Sequence, residues 1–267
     1  MFDKLIVFTI TLLTFGWVGG AVQAIRVFSI CILPFTFILY LHQKNIFIRR
    51  LSVIGIGFLL YALCLTFIYD RMHHWGTLPY VELGYLFLNS HILMALLLFA
   101  QRAACPKYSV TVGWMAFVLS TGLIGIWEIA TGSHLPTNMN QAELLELGYG
   151  INGIFNKVYA AATFGNYNEY VTALCCAIPF LAYKLFCSTE LKKFVLPLAC
   201  LLLSIVIITV NASRGGILCI ALAALTYLFY YRRSYFKHKM LFLGVLCLCV
   251  GAALYEWGDL LFSQLEE

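Results

Sequence analysis

The chain has 267 residues, 62% of them hydrophobic and only 11% charged, with a formal net charge of +5 and a mean hydropathy of +0.89. A soluble domain carries about 25% charged residues, so the composition excludes a water-soluble globular protein. The basic residues are scattered over several turns, with no stripe that could track phosphates, which excludes a nucleic-acid-binding face.

In chain order, the first apolar run, 5–24 (LIVFTITLLTFGWVGGAVQA), reads as a membrane span and not as a signal peptide. It is long, has little flanking charge and is followed at once by further spans. Runs at 27–42, 51–69, 83–100 and 109–130 predict four more helices. Within 83–100 lies a polar patch, Asn89, Ser90 and His91, which reads as an interhelical hydrogen-bond contact. A long mixed segment, about 131–166, comes next. Its middle, NQAELLELGYG, reads either as a short amphipathic helix at the membrane interface or as a solvated loop. The last runs are 167–185, 194–211, 216–231 and 240–256. The expected fold class is all-α: a polytopic integral membrane protein of about nine transmembrane helices, forming a single transmembrane domain over 1–267.

Charge predicts the orientation. With the N-terminus in the cytoplasm, alternation through nine spans puts 13 of the 17 basic residues on the cytoplasmic side. They are Lys4, Lys44, Arg49, Arg50, Arg102, Lys107, Lys184, Lys192, Lys193, Arg232, Arg233, Lys237 and Lys239. The opposite face has Arg26, Arg71, Lys157 and Arg214, and the C-terminus is extracytoplasmic. Segment 131–166 then becomes a large extracytoplasmic loop. Eight of the ten cysteines fall within spans and none in an outer loop, so no disulfide is expected. No Cys/His spacing points to a metal, and neither a metal nor a cofactor is expected.

Three clusters on the extracytoplasmic side carry candidate chemistry. In IWEIATGSHLP, Glu128 lies near the outer end of a span, followed by His134. A carboxylate at that depth is costly unless it is paired or faces water, and Arg26, Arg71, Lys157 and Arg214 are the available cations. In TFGNYNEYV, Asn166, Asn168 and Glu169 stand at the start of an apolar helix. Helix capping accounts for one Asn and for Glu169, but does not demand both asparagines. In NASRGG, two glycines follow Arg214 at a helix start, where free N–H groups and a partial positive charge meet. With Asn211 and Ser213 as donors this forms an anion seat suited to phosphate; the competing reading is an arginine snorkelling to lipid headgroups.

In this order and spacing, WEIATGSHLPTN, FGNYNEYVTALCCAIPFL and VNASRGGILCIALAAL resemble motifs of the O-antigen polymerase and O-antigen ligase superfamily of the bacterial cell envelope. The likeness covers roughly residues 120–230; the first 100 match only in hydropathy. The resemblance implies glycosyl transfer at the outer face of the bacterial plasma membrane. Undecaprenyl-pyrophosphate-linked oligosaccharide is the donor, without metal or cofactor, and the product is O-antigen or capsular polysaccharide. It gives Arg214 the pyrophosphate and makes Glu169 and Glu128 candidate bases. Ser213, Asn168, Asn166, Lys157 and His134 become candidate substrate contacts. Implied partners are membrane lipids and envelope polysaccharide assembly proteins. The pattern departs from the family in two places: Lys157 stands where members often carry arginine, and the second large outer loop and later spans are missing after EWGDLLFSQLEE. The expectation is therefore of a chain lacking the usual C-terminal part, as a fragment or a short member. A ligase that transfers the glycan to a lipid acceptor is the alternative within the class. From outside it come a polysaccharide-related transporter or flippase and an inactive truncated relative.

Overall fold

A computed structural model describes residues 1–16, 23–73, 78–133, 135, 160–164, 167–187, 191–211 and 214–230. Among these, all regular structure is helical. The helices are α1 (Phe2–Thr11), α2 (Ala24–Leu41), α3 (Ile46–His73), α4 (Leu78–Arg102), α5 (Pro106–Thr131), α6 (Tyr167–Cys187), α7 (Leu191–Val210) and α8 (Arg214–Tyr230).

Among the described residues, five helical stretches are long and apolar enough to cross a membrane: Ala24–Leu41, Ile46–Ile68, Leu83–Arg102, Pro106–Thr131 and Lys193–Val210. The Ile46–Ile68 stretch has a mean hydropathy of 2.4 with only 6% of its most apolar window buried within the protein. Val53, Ile54, Phe58 and Tyr61 are each more than half exposed. Water would not tolerate so large an apolar face; a bilayer solvates it. The protein is a membrane protein, and its described residues are all-helical in their regular structure. The expected runs 167–185 and 216–231 fall on α6 and α8. Of these, α6 carries Asn168, Glu169 and Lys184, and α8 has 17 residues. The run 240–256 and the NQAELLELGYG stretch lie outside the described residues.

The first run differs from the continuous helix expected over 5–24. Helix α1 stops at Thr11 and passes into a 3₁₀ turn, Leu12–Phe15, that ends at Gly16. The hydroxyls of Thr9 and Thr11 donate to the carbonyls of Leu5 and Val7 at 2.7 and 2.8 Å. Such back-bonding loosens a helix, and Gly16 takes up a backbone conformation (φ −29°, ψ −107°) outside the helical region.

The chain packs as two compact units, Met1–Gly113 and Trp114–Glu267. In the first, α4 is central and contacts α1, α2 and α3. Phe2, Phe35 and Phe99 form a ring cluster with centroids 6.1–6.4 Å apart. Asp3 caps the start of α5 from a distant part of the sequence. Its carboxylate accepts the Ala104 and Cys105 N–H groups, each at 3.0 Å, and the Ser109 hydroxyl at 2.7 Å. Pro106, at the first helical position, lacks the N–H that would otherwise need a partner.

Within the polar patch on α4, His91 makes the interhelical contact that its residue type predicts. His91 bridges to α2 through both ring nitrogens, Nδ1 to Ser29 Oγ at 2.7 Å and Nε2 to Thr36 Oγ1 at 2.6 Å. One turn before Ser29, the Arg26 guanidinium lies 3.5 Å from the centre of the Tyr85 ring, a cation–π contact.

In the second unit, α6 packs on α7 and α8. Its buried face is Tyr170, Leu174, Ala177, Ile178, Leu181 and Leu185. The spacing of three and four residues is that of a single helical stripe. Small residues let the later half of α5 approach its neighbours. A Cβ on Gly122 would collide with the Leu203 side chain, and one on Gly125 would lie 3.3 Å from Ile207 and 3.4 Å from Ala160.

Candidate functional site

Four helix ends meet in the second unit: the C-termini of α5 and α7 and the N-termini of α6 and α8. They are tied together by a short irregular segment, 160–164, whose first three residues are buried against them. Ala160, Ala161 and Ala162 are each at most 1% exposed. Buried backbone outside a helix must find partners for its polar groups, most of all in a membrane protein. Two side chains provide them.

Glu128, fully buried three residues before the end of α5, accepts the N–H groups of Ala161 and Ala162 on Oε2 at 2.8 and 2.7 Å. Asn211, 1% exposed and just beyond α7, matches the peptide group of Ala160. Its Oδ1 accepts the Ala160 N–H and its Nδ2 donates to the Ala160 carbonyl, both at 2.7 Å. The pairing imitates one rung of a β-ladder. Ala162 has φ 50°, the left-handed region that an L side chain enters at a cost of about 1–2 kcal/mol. The two adjacent N–H groups that this geometry turns onto one oxygen form a small nest, with Glu128 Oε2 as the acceptor seated in it.

The segment is also anchored by an aromatic ring. Phe164 stacks on Tyr170 of α6 at 5.5 Å and meets Phe117 of α5 edge-on at 6.1 Å. Helix α5 closes just past Glu128: Gly132, at φ 69°, donates its N–H to the Glu128 carbonyl at 2.9 Å, the left-handed cap that glycine permits without strain. Cys175 of α6 reaches the Gly216 carbonyl of α8 at 4.0 Å, which brings the α8 start to the same place.

The structure thus gathers the three clusters singled out in the sequence. Glu128 meets the 160–164 segment, Asn211 meets it from the opposite strand of sequence, and Asn168 and Glu169 are exposed in the first turn of α6 beside Tyr170. Arg214 is the first residue of α8. Beside it Gly215 is exposed, and a Cβ there would meet nothing within 4 Å. His134, Lys157, Asn166 and Ser213 lie outside the described residues, as does the side chain of Arg214.

Two roles differ from the sequence reading. Asn211 was expected to donate toward an anion with Ser213; its amide is instead committed at both ends to Ala160, because a buried peptide needs both a donor and an acceptor. For Glu128 the sequence offered arginines and lysines as partners, whereas Oε2 is held by backbone. The alanines of that segment carry no chemical signal, so only the cost of burying Glu128 pointed toward them. Asp3 was likewise missed as a cap, since its partners are about a hundred residues away.

Comparison with known proteins adds nothing to this geometry. No family model, curated protein or solved structure matches the chain.

Proposed function

We propose that this chain is a membrane glycosyltransferase of the bacterial plasma membrane. In this reading it takes undecaprenyl-pyrophosphate-linked oligosaccharide as donor and extends an O-antigen or capsular polysaccharide at the extracytoplasmic face. One observation carries the reading: the three clusters whose motifs resemble that superfamily, far apart in sequence, converge on one end of the α5–α8 helices. A site assembled from Glu128, the start of α6 and the start of α8 is what such chemistry requires.

In this proposal the chain crosses the membrane nine times, with the N-terminus cytoplasmic and the C-terminus outside. The clustered helix ends then face the extracytoplasmic side, where lipid-linked sugars are presented. Support comes from the distribution of basic residues, 13 of 17 on the opposite side.

The roles follow from chemistry. Arg214 at the α8 N-terminus binds the pyrophosphate, where guanidinium and helix-end N–H groups act together. The bond between the sugar C1 and the pyrophosphate oxygen breaks, and the leaving group departs with the electron pair. The added charge is stabilised by a cation already in place. The acceptor hydroxyl oxygen bonds to C1 and gives its proton to a base. Glu169, exposed on the first turn of α6, takes that role, with Asn168 beside it for sugar hydroxyls. Glu128 holds the 160–164 segment that sets the position of Phe164 and α6.

The test is polysaccharide chain length on gels, in cells lacking the corresponding polymerase and carrying this chain. Arg214→Lys keeps the charge but loses the planar fork. A hydrogen bond to a charged group is worth about 1.5–3 kcal/mol, so donor use should fall about ten- to a hundredfold, and Arg214→Ala should be worse. Glu169→Gln should abolish transfer at normal protein level. Arg214→Lys indistinguishable from the parent would remove the pyrophosphate seat from this arginine, and failure of the parent to restore any polymer would refute the activity for this chain.

A further inference from the structure

The first unit carries a second built feature, at the end where α1 and α5 begin and α2 and α4 finish. Six basic residues collect there: Lys4, Lys44, Arg49, Arg50, Arg102 and Lys107. The acid among them, Asp3, has both oxygens engaged in capping α5. That end therefore presents a strongly positive field. Beside Asp3 a shallow, open groove of about 610 Å³ lies between α1 and the start of α5. Its walls are Val7, Phe8 and Thr11 on one side and Cys105 and Tyr108 on the other, with Lys4 at the mouth.

The groove has a direction. Lys4, Phe8 and Thr11 are three and four residues apart and so share one face of α1. The cation stands at the helix start, and the apolar floor runs from it along the helix. The Thr11 hydroxyl is already satisfied by the Val7 carbonyl at 2.8 Å, so it adds little polarity to that floor. Phe8 and Tyr108 are 51% and 60% exposed; Phe8 also meets Phe28 of α2 edge-on at 5.3 Å, which holds its ring in place at the groove wall. A charged head followed by an apolar tail is the layout of a phospholipid.

We propose that this groove binds one anionic diacyl phospholipid, its headgroup phosphate on Lys4 and an acyl chain along Val7, Phe8 and Tyr108. The site is separate from the proposed glycosyl-transfer site and does not depend on it. A zwitterionic lipid has the same tail but no net charge to match the basic end. A lysine near an anionic lipid surface is worth about 1 kcal/mol, or roughly a fivefold preference.

The experiment uses the full chain, loaded from vesicles of phosphatidylglycerol and phosphatidylcholine in equal parts, purified in detergent and assayed by native mass spectrometry for retained lipid. Phosphatidylglycerol should be retained about fivefold over phosphatidylcholine. Lys4→Gln should bring the two close to parity without lowering retained phosphatidylcholine. Val7→Trp, which fills the groove, should displace both. Lys44→Gln, at the same basic end but outside the groove, should leave the preference unchanged. Equal retention by the parent overturns the proposal. So does an equal effect of Lys4→Gln and Lys44→Gln, which would mean general surface charge, and so does a Val7→Trp variant that keeps both lipids.

Discussion

Replacing Glu128 with alanine tests the organisation of the 160–164 segment directly. The change removes the acceptor for two N–H groups, on Ala161 and Ala162, that are buried to within 1%. A buried polar group stranded without a partner costs about 1–3 kcal/mol. The variant should therefore lose about 2–6 kcal/mol, toward the lower end if a water enters the space left behind. Glu128→Gln retains one amide oxygen in the same place, able to accept both N–H groups, and should lose about 1–2 kcal/mol. The strained Ala162 backbone, at φ 50°, sharpens the contrast, because its conformation is held by the bonds being removed. Amide hydrogen exchange on the detergent-purified protein reads this locally. A local loss of about 3 kcal/mol raises exchange at Ala161 and Ala162 roughly a hundredfold, and the melting temperature should fall on the order of 10 °C. Asn211→Ala should act on the same segment through Ala160. Because the two side chains hold adjacent peptides, the double variant should cost less than the sum of the singles. Unchanged exchange at 161 and 162 in Glu128→Ala would refute the clamp. Glu128→Gln with parental stability but no sugar transfer would move Glu128 from holding the segment to the chemistry itself.

Two further predictions follow from other parts of the molecule. The Ser109 hydroxyl, followed by the Cys105 and Ala104 amides, holds the Asp3 carboxyl below its ordinary 3.8. Its contribution to the α5 cap is thus fully present above that value and is lost as the pH falls through the lowered one; exchange at Ala104 and Cys105 should rise on that acid side in the parent, while Asp3→Asn should show weak protection at every pH. The proposed topology predicts that a cysteine placed at Asn140 in a background without reactive thiols is labelled by an impermeant reagent on whole cells; labelling only after the cytoplasm is opened would reverse the orientation and with it the site assignment.

The sequence by itself determined the solvent and the kind of element. Apolar runs as long as Ile46–Ile68 have no stable place in water, and in a bilayer a chain must satisfy its own backbone, so helices follow from composition. It also marked His91 as an interhelical contact, because a hydrogen-bonding ring within a span needs a polar neighbour on another helix, and Ser29 and Thr36 are that neighbour. Where α1 stops was harder to read, since the runs of apolar residues continue past Thr11 while the threonine back-bonds that accompany the break leave hydropathy unchanged. Only the tertiary structure decided what the buried polar side chains hold. Glu128 and Asn211 lie 33 to 51 residues from their partners, and Asp3 about a hundred. Apart from the Ser109 hydroxyl on Asp3, the partners are backbone groups, which all residues share and which no pattern of side chains can announce. The need for a partner is written in the chain, as the cost of burying a carboxylate or an amide; its identity depends on which stretch of backbone the packing of α5, α6 and α7 leaves unpaired beside it.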